Sequence, residues 1–401
     1  MLIPFAVVAA GLALSADPSS LPRGDAGHFQ VISDTEIIID GVTFGSWAEV
    51  AQSGYFQTGT RCLTEPSMVG VDVRDGWSGD CSFGRTTLLP KYEPHNGLLR
   101  IPVVVHVIQN TSGTGFIPES RVRSQIDVLN EDFLAIAGTL GANGTDGQIE
   151  FFLATEDPNG NPTTGITYST NNTWFNDSGS YWNTLAWDTN RYLNIYTNSA
   201  SGALGYVPDL PQGGIAGSAA DRVVVLYSSF GRNAPLVPYH LGRTTTHEVG
   251  HYLGLYHTFN GGCASVASCA TNGDRICDTN PEQSPTYGCP GSRTSCSLPA
   301  PFNNYMDYTD DACMTKFTPN QVNRMRCTLM HYRPLLAQSG PQPCSIADLA
   351  EPLGVLDLAD VQAFASAFVA QNPAADLAPP FGIYDLGDIQ AFNSAFVAGC
   401  P

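Results

Sequence analysis

Four residues near the middle of the chain have the types and spacing to activate water: His247, Glu248, His251 and His257. His247 and His251 lie four apart, so on a helix both imidazoles leave one face and can share a metal at about 2.0–2.1 Å. Glu248 follows His247 directly, which puts a carboxylate beside that metal without making it a ligand, the place for a general base. Gly254 can take the left-handed backbone that ends a helix and swings His257 back as a third nitrogen ligand. Three ligands leave one coordination position open, as in zinc sites that act on a substrate. The implied chemistry is metal-assisted hydrolysis of a polarised carbonyl.

A second constellation lies downstream in Asn303-Asn304-Tyr305-Met306-Asp307-Tyr308. Together with Gly254 and the third histidine it matches the extended zincin pattern called metzincin, whose Met-turn sets a thioether beneath the zinc. Further phrases carry the likeness beyond the helix: Arg100-Ile101-Pro102-Val103-Val104-Val105-His106-Val107, Val223-Val224-Val225-Leu226-Tyr227, Asp278-Thr279-Asn280-Pro281-Glu282 and the run from Asn304 to Phe317. On these residues the segment from about 99 to 335 resembles the pappalysin family of metzincins, in particular its short bacterial members related to ulilysin. The resemblance implies that His247, His251 and His257 bind zinc, that Glu248 is base and acid, that Met306 forms the Met-turn and that Tyr308 stabilises the oxyanion.

The cysteines are read in the same light. Eleven in a chain with an export signal argue for disulfides, and an odd total leaves a thiol over. Cys62, in Thr60-Arg61-Cys62-Leu63-Thr64-Glu65-Pro66, resembles the pro-region cysteine whose thiolate fills the open zinc position in latent family members; a Cys62–Cys81 disulfide is the alternative. Arg85, Lys91 and Arg100 are the basic residues available for activation cleavage. The resemblance suggests the pairs Cys263–Cys296 and Cys289–Cys313, with Cys269 and Cys277 left to close a short local hairpin. Cys344 and Cys400 bracket the C-terminal module, and Cys81 and Cys327 remain. The C-x₂-C spacing of a structural zinc site is absent. The same loop carries Asp274, Asp278, Thr279 and Glu282, oxygen ligands that could hold a calcium ion, as related enzymes do here, or serve as ordinary loop acids.

Composition bounds the rest. The 401 residues are 43% hydrophobic, enough for a sizeable core. Acidic residues outnumber basic ones 37 to 18, which excludes the basic surface that nucleic acid requires. Residues 1–16, apolar and ending Ala13-Leu14-Ser15-Ala16, read as a signal peptide, with a buried strand as the alternative. No other run approaches the roughly 20 apolar residues of a membrane span. A pro-segment is expected over 17–98, a catalytic domain over 99–338 and a tail module over 339–401.

Hydrophobic periodicity predicts a central strand over 99–109, a helix over 119–137, strands over 149–154, 193–196 and 222–227, and an edge strand over 202–208. A further helix is predicted over 319–331, capped by Thr318. This order implies an α/β fold: a mixed twisted sheet in an upper subdomain, an irregular disulfide-rich lower subdomain, and a small helical C-terminal module. The open edge suits a polypeptide substrate, whose backbone can add as a strand. Asp310 and Asp311 fall in the segment that walls the pocket beside the scissile bond in related enzymes, and would select Arg or Lys there, unless both face solvent or bind calcium.

The tail contains a 28-residue repeat: Asp348 to Asp360 matches Asp376 to Asp388, and each is followed by an amphipathic helix. It resembles dockerin and other EF-hand-like pairs and would attach the enzyme to a cell-surface or cohesin-like partner. Its loops depart from the calcium pattern, reading Ala350-Glu351-Pro352-Leu353 and Ala378-Pro379-Pro380-Phe381. A catalytically silent metzincin scaffold displayed through this tail is the competing reading, which intact ligands and base disfavour.

Overall fold

A computed structural model of the chain describes residues 28–57, 61–64, 81, 90–339, 344–350, 355–378 and 383–400. The expected signal peptide, Arg85 and the linker 340–343 lie outside the described residues. The chain opens with an antiparallel three-stranded sheet, β1 (Phe29–Ser33), β2 (Glu36–Ile39) and β3 (Val42–Phe44), and a short helix α1 (Trp47–Gln52). This N-terminal unit is packed against the rest by aromatic side chains. Trp47 meets Tyr227 edge-on at 5.7 Å, and both donate to Asp34.

The main sheet is built around β4 (Leu99–Gln109), whose β-branched run is buried on both faces; Ile101, Val103, Val104 and Val105 have no exposed surface. Such a strand needs parallel neighbours and cover on both sides. After α2 (Glu119–Phe133), the strands β5 (Ile149–Leu153) and β6 (Ile166–Thr170) pair in parallel with successive halves of β4. Two one-turn helices, α3 (Asn172–Phe175) and α4 (Trp182–Leu185), lead to β7 (Leu193–Asn198), which is parallel to β4. β8 (Gly205–Tyr206) is the antiparallel edge strand, paired with β9 (Val223–Leu226). The helix α5 (Arg243–Tyr252) follows and carries His247 and His251; a disulfide-rich stretch then holds a 3-10 turn at Val266–Ser268 and the small hairpin β10 (Thr294–Ser295) and β11 (Leu298–Pro299). α6 (Pro319–Tyr332) returns the chain to β12 (Gln338–Ser339), which pairs antiparallel with the start of β4. This is the mixed α/β arrangement that strand and helix order implied.

Local chemistry accounts for the differences from the expected boundaries. α2 stops at Phe133, four residues short of Ala137, because Ala135 takes a left-handed conformation at φ 48°. The edge strand shrinks to two residues because Ser201 and Gly202 also sit at positive φ, 52° and 87°. The N-terminal sheet and β6 were not anticipated: β6, ITYST, is too short and too half-exposed to stand out by periodicity. α6 begins with the reciprocal capping box of Thr318 and Gln321.

The tail forms two helices, α7 (Leu358–Val369) and α8 (Leu386–Ala398), which meet through stacked Phe364 and Phe392 rings at 4.2 Å. Asp360 accepts from the backbone N–H of Leu349, Ala350 and Asp357, and Asp388 accepts from Leu377, Ala378 and Asp385 in the same pattern. Carboxylates so engaged close each loop with hydrogen bonds, in the place where a calcium-binding loop would use a cation.

Candidate active site

α5 and the turn after it bring the three histidines together. The Nε2 atoms of His247, His251 and His257 stand 3.1, 2.9 and 3.2 Å apart. Three nitrogens about 2 Å from a tetrahedral zinc would be separated by about 3.3 Å, so the cage fits that ion closely. The ring orientations are fixed from behind: His247 Nδ1 donates to the Tyr305 carbonyl at 2.6 Å and His251 Nδ1 to that of Leu255 at 2.7 Å. Each ring thereby turns its other nitrogen inward as an acceptor. Burial pushes His251 down to about 4 and holds His247 and His257 well below the ordinary range, so all three rings are neutral, the form that binds metal.

Two glycines are required by space. Gly254 has φ +91°, and a Cβ there would come within 2.7 Å of both Gln212 and Thr328; this turn delivers His257. On Gly250 a Cβ would overlap the sulfur of Met306, so the Met-turn presses directly against the histidine helix.

The helix itself is anchored by carboxylates. Asp132, fully buried on α2, accepts from Arg243, Thr246 and the Tyr305 hydroxyl at 3.0, 2.7 and 2.8 Å. It thereby ties α2, α5 and the Met-turn at one point, one residue removed from His247. Burial pushes Asp132 up to about 6 against the lowering effect of Arg243. At the other end of α5, Arg333 donates to the Tyr252 carbonyl at 2.9 Å and pairs with buried Asp221 at 2.6 Å. Sequence reasoning missed both acids. Asp132 had left a signal: it follows the apolar face of Val122, Ile126 and Leu129, where an aspartate needs a partner.

Glu248 is buried beside the cage, and burial pushes its carboxyl up to about 8. Its neighbours come from the N-terminal segment. Cys62 Sγ lies 3.4 Å and Thr64 Oγ1 3.3 Å from one carboxylate oxygen, and the sulfur gathers with the three histidine nitrogens within 4.8 Å. Residues 61–64 lie along the edge strand: Cys62 bridges Gly205 in parallel, Leu204 N–H donates to the Arg61 carbonyl at 2.9 Å, and Leu63 N–H to the Gly205 carbonyl at 3.2 Å. The edge that was expected to stand open is covered by the chain's own backbone. Tyr308 points its hydroxyl at His257 Nε2, 3.3 Å away, and donates to the Cys62 carbonyl at 3.5 Å.

Arg61 is the third residue that sequence reasoning missed. It is 4% exposed, lies over the Tyr239 ring at 4.4 Å and donates to the Tyr308 carbonyl. Its charge lowers both Asp310 and Asp311 against the upward pull of burial. The two aspartates differ, however. Asp311 is turned into the fold, accepting from Leu241 N–H at 2.8 Å and Arg243 N–H at 3.3 Å to cap α5, so it is a helix anchor and not a pocket wall. Asp310, by contrast, is half-buried.

Of the four calcium candidates, Asp274 and Thr279 meet directly and Asp278 lies near enough to raise the Asp274 carboxyl, while Glu282 has other partners. Asp274 accepts from Thr279; Asp278 caps α6 through Thr318 Oγ1 at 2.6 Å and Asn320 N–H at 2.9 Å; Glu282 pairs with Arg293 at 3.2 Å and accepts from Thr286. Each carboxylate thus accepts hydrogen bonds from protein groups. The loop is held covalently by Cys263–Cys296, Cys269–Cys277 and Cys289–Cys313, while Cys344–Cys400 clasps the tail and Cys81 joins Cys327. Cys62 is the free thiol, which disposes of a Cys62–Cys81 bond.

Comparison with known proteins agrees with this geometry. The family described as pregnancy-associated plasma protein-A matches residues 177–330. An extracellular metalloprotease of Colletotrichum graminicola is 35% identical over 245 residues, covering 59% of this chain and 78% of the relative. Among solved structures, a promirolysin mutant from Tannerella forsythia aligns with TM-score 0.52 at 36% identity over 60% of this chain and 84% of its own. Mature mirolysin from the same organism, in complex with a cleaved peptide, aligns with TM-score 0.50 at 38% identity over 60% of this chain and 99% of its own.

Proposed function

The chain belongs to the pappalysin-type family of metallopeptidases, and from that premise we propose that it is a secreted zinc endopeptidase made in a latent form. The observation that carries the reading is the cage of three inward-facing Nε2 atoms with Glu248 beside it. Zinc, when bound, polarises the scissile carbonyl and acidifies a water molecule. Glu248 then takes the proton from that water and returns it to the leaving amine. Tyr308 donates its hydroxyl to the carbonyl oxygen as negative charge develops there; its present contact with the Cys62 carbonyl supports the role. The edge of β8 supplies backbone partners to a substrate strand once residues 61–64 have left.

Latency is supported by the Cys62 sulfur lying at the cage and by the backbone pairing that seats it. Secretion is supported by the apolar leader in residues 1–16, by five disulfides and by the relative's description as extracellular. Arg61, seated on Tyr239 and lowering the Asp310 carboxyl by its charge, supports a preference for Arg beside the scissile bond. The tail is assigned to attachment: its repeats expose the matching pairs Leu358 and Leu386, and Val369 and Val397.

One experiment tests site and specificity together. Profiling a peptide library with the wild-type, Glu248→Ala and Asp310→Asn proteins, each freed of the N-terminal segment, should show loss of turnover by a factor of 10² to 10⁴ in the first variant and a weakened Arg preference in the second. Comparable turnover in Glu248→Ala would reject the mechanism, and an unchanged profile in Asp310→Asn would reject the pocket.

A further inference from the structure

The plug that fills the cleft and the disulfide Cys81–Cys327 stand on the same stretch of chain. Cys327 is fully buried in the middle of α6, and Cys81 is equally buried against it, with Tyr92 and Tyr332 packed around the bond. Arg324 donates to the Cys81 carbonyl at 2.6 Å. Arg326, 1% exposed, donates to the carbonyls of Tyr92, Gly97, Gly147 and Gln148, so one guanidinium clamps the chain before β4 onto the turn before β5. Residues 81 and 90–98 are therefore built into the catalytic domain, although the sequence placed them in the pro-segment.

We propose that the boundary between the released pro-segment and the retained enzyme lies on the N-terminal side of Cys81, and that the Cys81–Cys327 bond makes every later cut unproductive. The proposal rests on the reading of residues 61–64 as a plug. Activation hydrolyses one peptide bond with one water and leaves the disulfide intact, so the position of the cut decides what stays attached. After a cut beyond Cys81, for example at Lys91, the plug is still joined to α6 through the bond. Such a tether holds it at an effective concentration on the order of millimolar, and it re-enters the cleft as fast as it leaves. After a cut before Cys81 the plug is held only by non-covalent packing and is diluted away. Arg100 is removed from the candidate sites altogether: it lies within β4, paired with Glu150 and with β12. The enzyme thus keeps Cys81 and residues 90–98, and Arg324 and Arg326 keep the carbonyl acceptors that they would otherwise lose in a buried place.

The test uses the full-length protein with a foreign protease recognition sequence inserted either directly before or directly after Cys81. Cleaved to completion without reductant, the first should gain activity on dilution, and the second should stay below about a twentieth of it while running as one species on a non-reducing gel. A Cys81→Ser, Cys327→Ser version of the second should become active on cutting. If that double variant does not fold, peptide mapping of the naturally activated enzyme decides: it should contain Cys81 bonded to Cys327. Full activity after the later cut with the bond intact, or an active enzyme whose N-terminus lies beyond Cys81, would overturn the proposal. Uncut Cys62→Ala reports separately on the plug: if it is as inactive as uncut wild type, the latency reading fails, whatever the cuts show.

Discussion

The catalytic core and the C-terminal repeats both depend on buried aspartates, but the two regions use them over different ranges. Asp360 and Asp388 bond to backbone no more than eleven residues away, each within its own repeat. Asp132 reaches Arg243 and Tyr305, and Asp221 reaches Arg333, more than a hundred residues on. A carboxylate that closes its own loop makes a part that folds and fails by itself. One that bridges distant elements makes the histidine cage depend on the whole fold, and leaves a buried arginine behind when it is removed.

The comparison can be broken most severely at Asp221. Asp221→Asn leaves Arg333 charged and buried with its paired hydrogen bonds halved, which should cost roughly 3–5 kcal/mol and loosen the end of α5 at Tyr252. Denaturant unfolding measures the first effect and zinc affinity the second; a loss below about 1 kcal/mol would mean that the core is not interlocked in this way.

Asp132 sharpens the point through pH. Its folded carboxyl titrates at about 6, above its unfolded value near 3.8. The folded state therefore binds the proton more tightly, and this group's contribution favours folding most below pH 4 and is lost as pH rises to about 6. Two units correspond to about 3 kcal/mol. Asp132→Asn removes that titration, so its stability should change less between pH 4 and 7 than the wild type's, by up to that amount. Parallel curves would show that Asp132 does not titrate in that window.

The smallest effect is expected in the tail. Asp360→Ala should cost on the order of 1 kcal/mol, seen as earlier hydrogen exchange in residues 349–369, with peptidase activity unchanged. A change in turnover would show that the tail is coupled to the cleft.

What was legible in the sequence follows the same division of range. His247, His251 and Glu248 are set by helix periodicity, and His257 by one glycine, so local spacing was enough to nominate them together. The β-branched run of β4 announced a buried central strand for the same reason. The partners that hold them were not legible, because Asp132 with Tyr305, Asp221 with Arg333 and Arg61 with Tyr308 are brought together only by the fold. Asp311 was misread for a related reason: an acid at a pocket's edge and an acid capping a helix look alike until the donors at Leu241 and Arg243 are in place.

Gly205 joins two features that are otherwise separate. Its carbonyl sets the pairing with the chain lying in the cleft, and a Cβ on it would come within 2.7 Å of the Glu248 side chain. The residue that fixes the hydrogen-bond register is thus the one in contact with the base. Under the proposed function, a substrate strand seated on this edge would be held in register directly against that carboxylate, so the edge would serve as a ruler whose zero mark is Glu248.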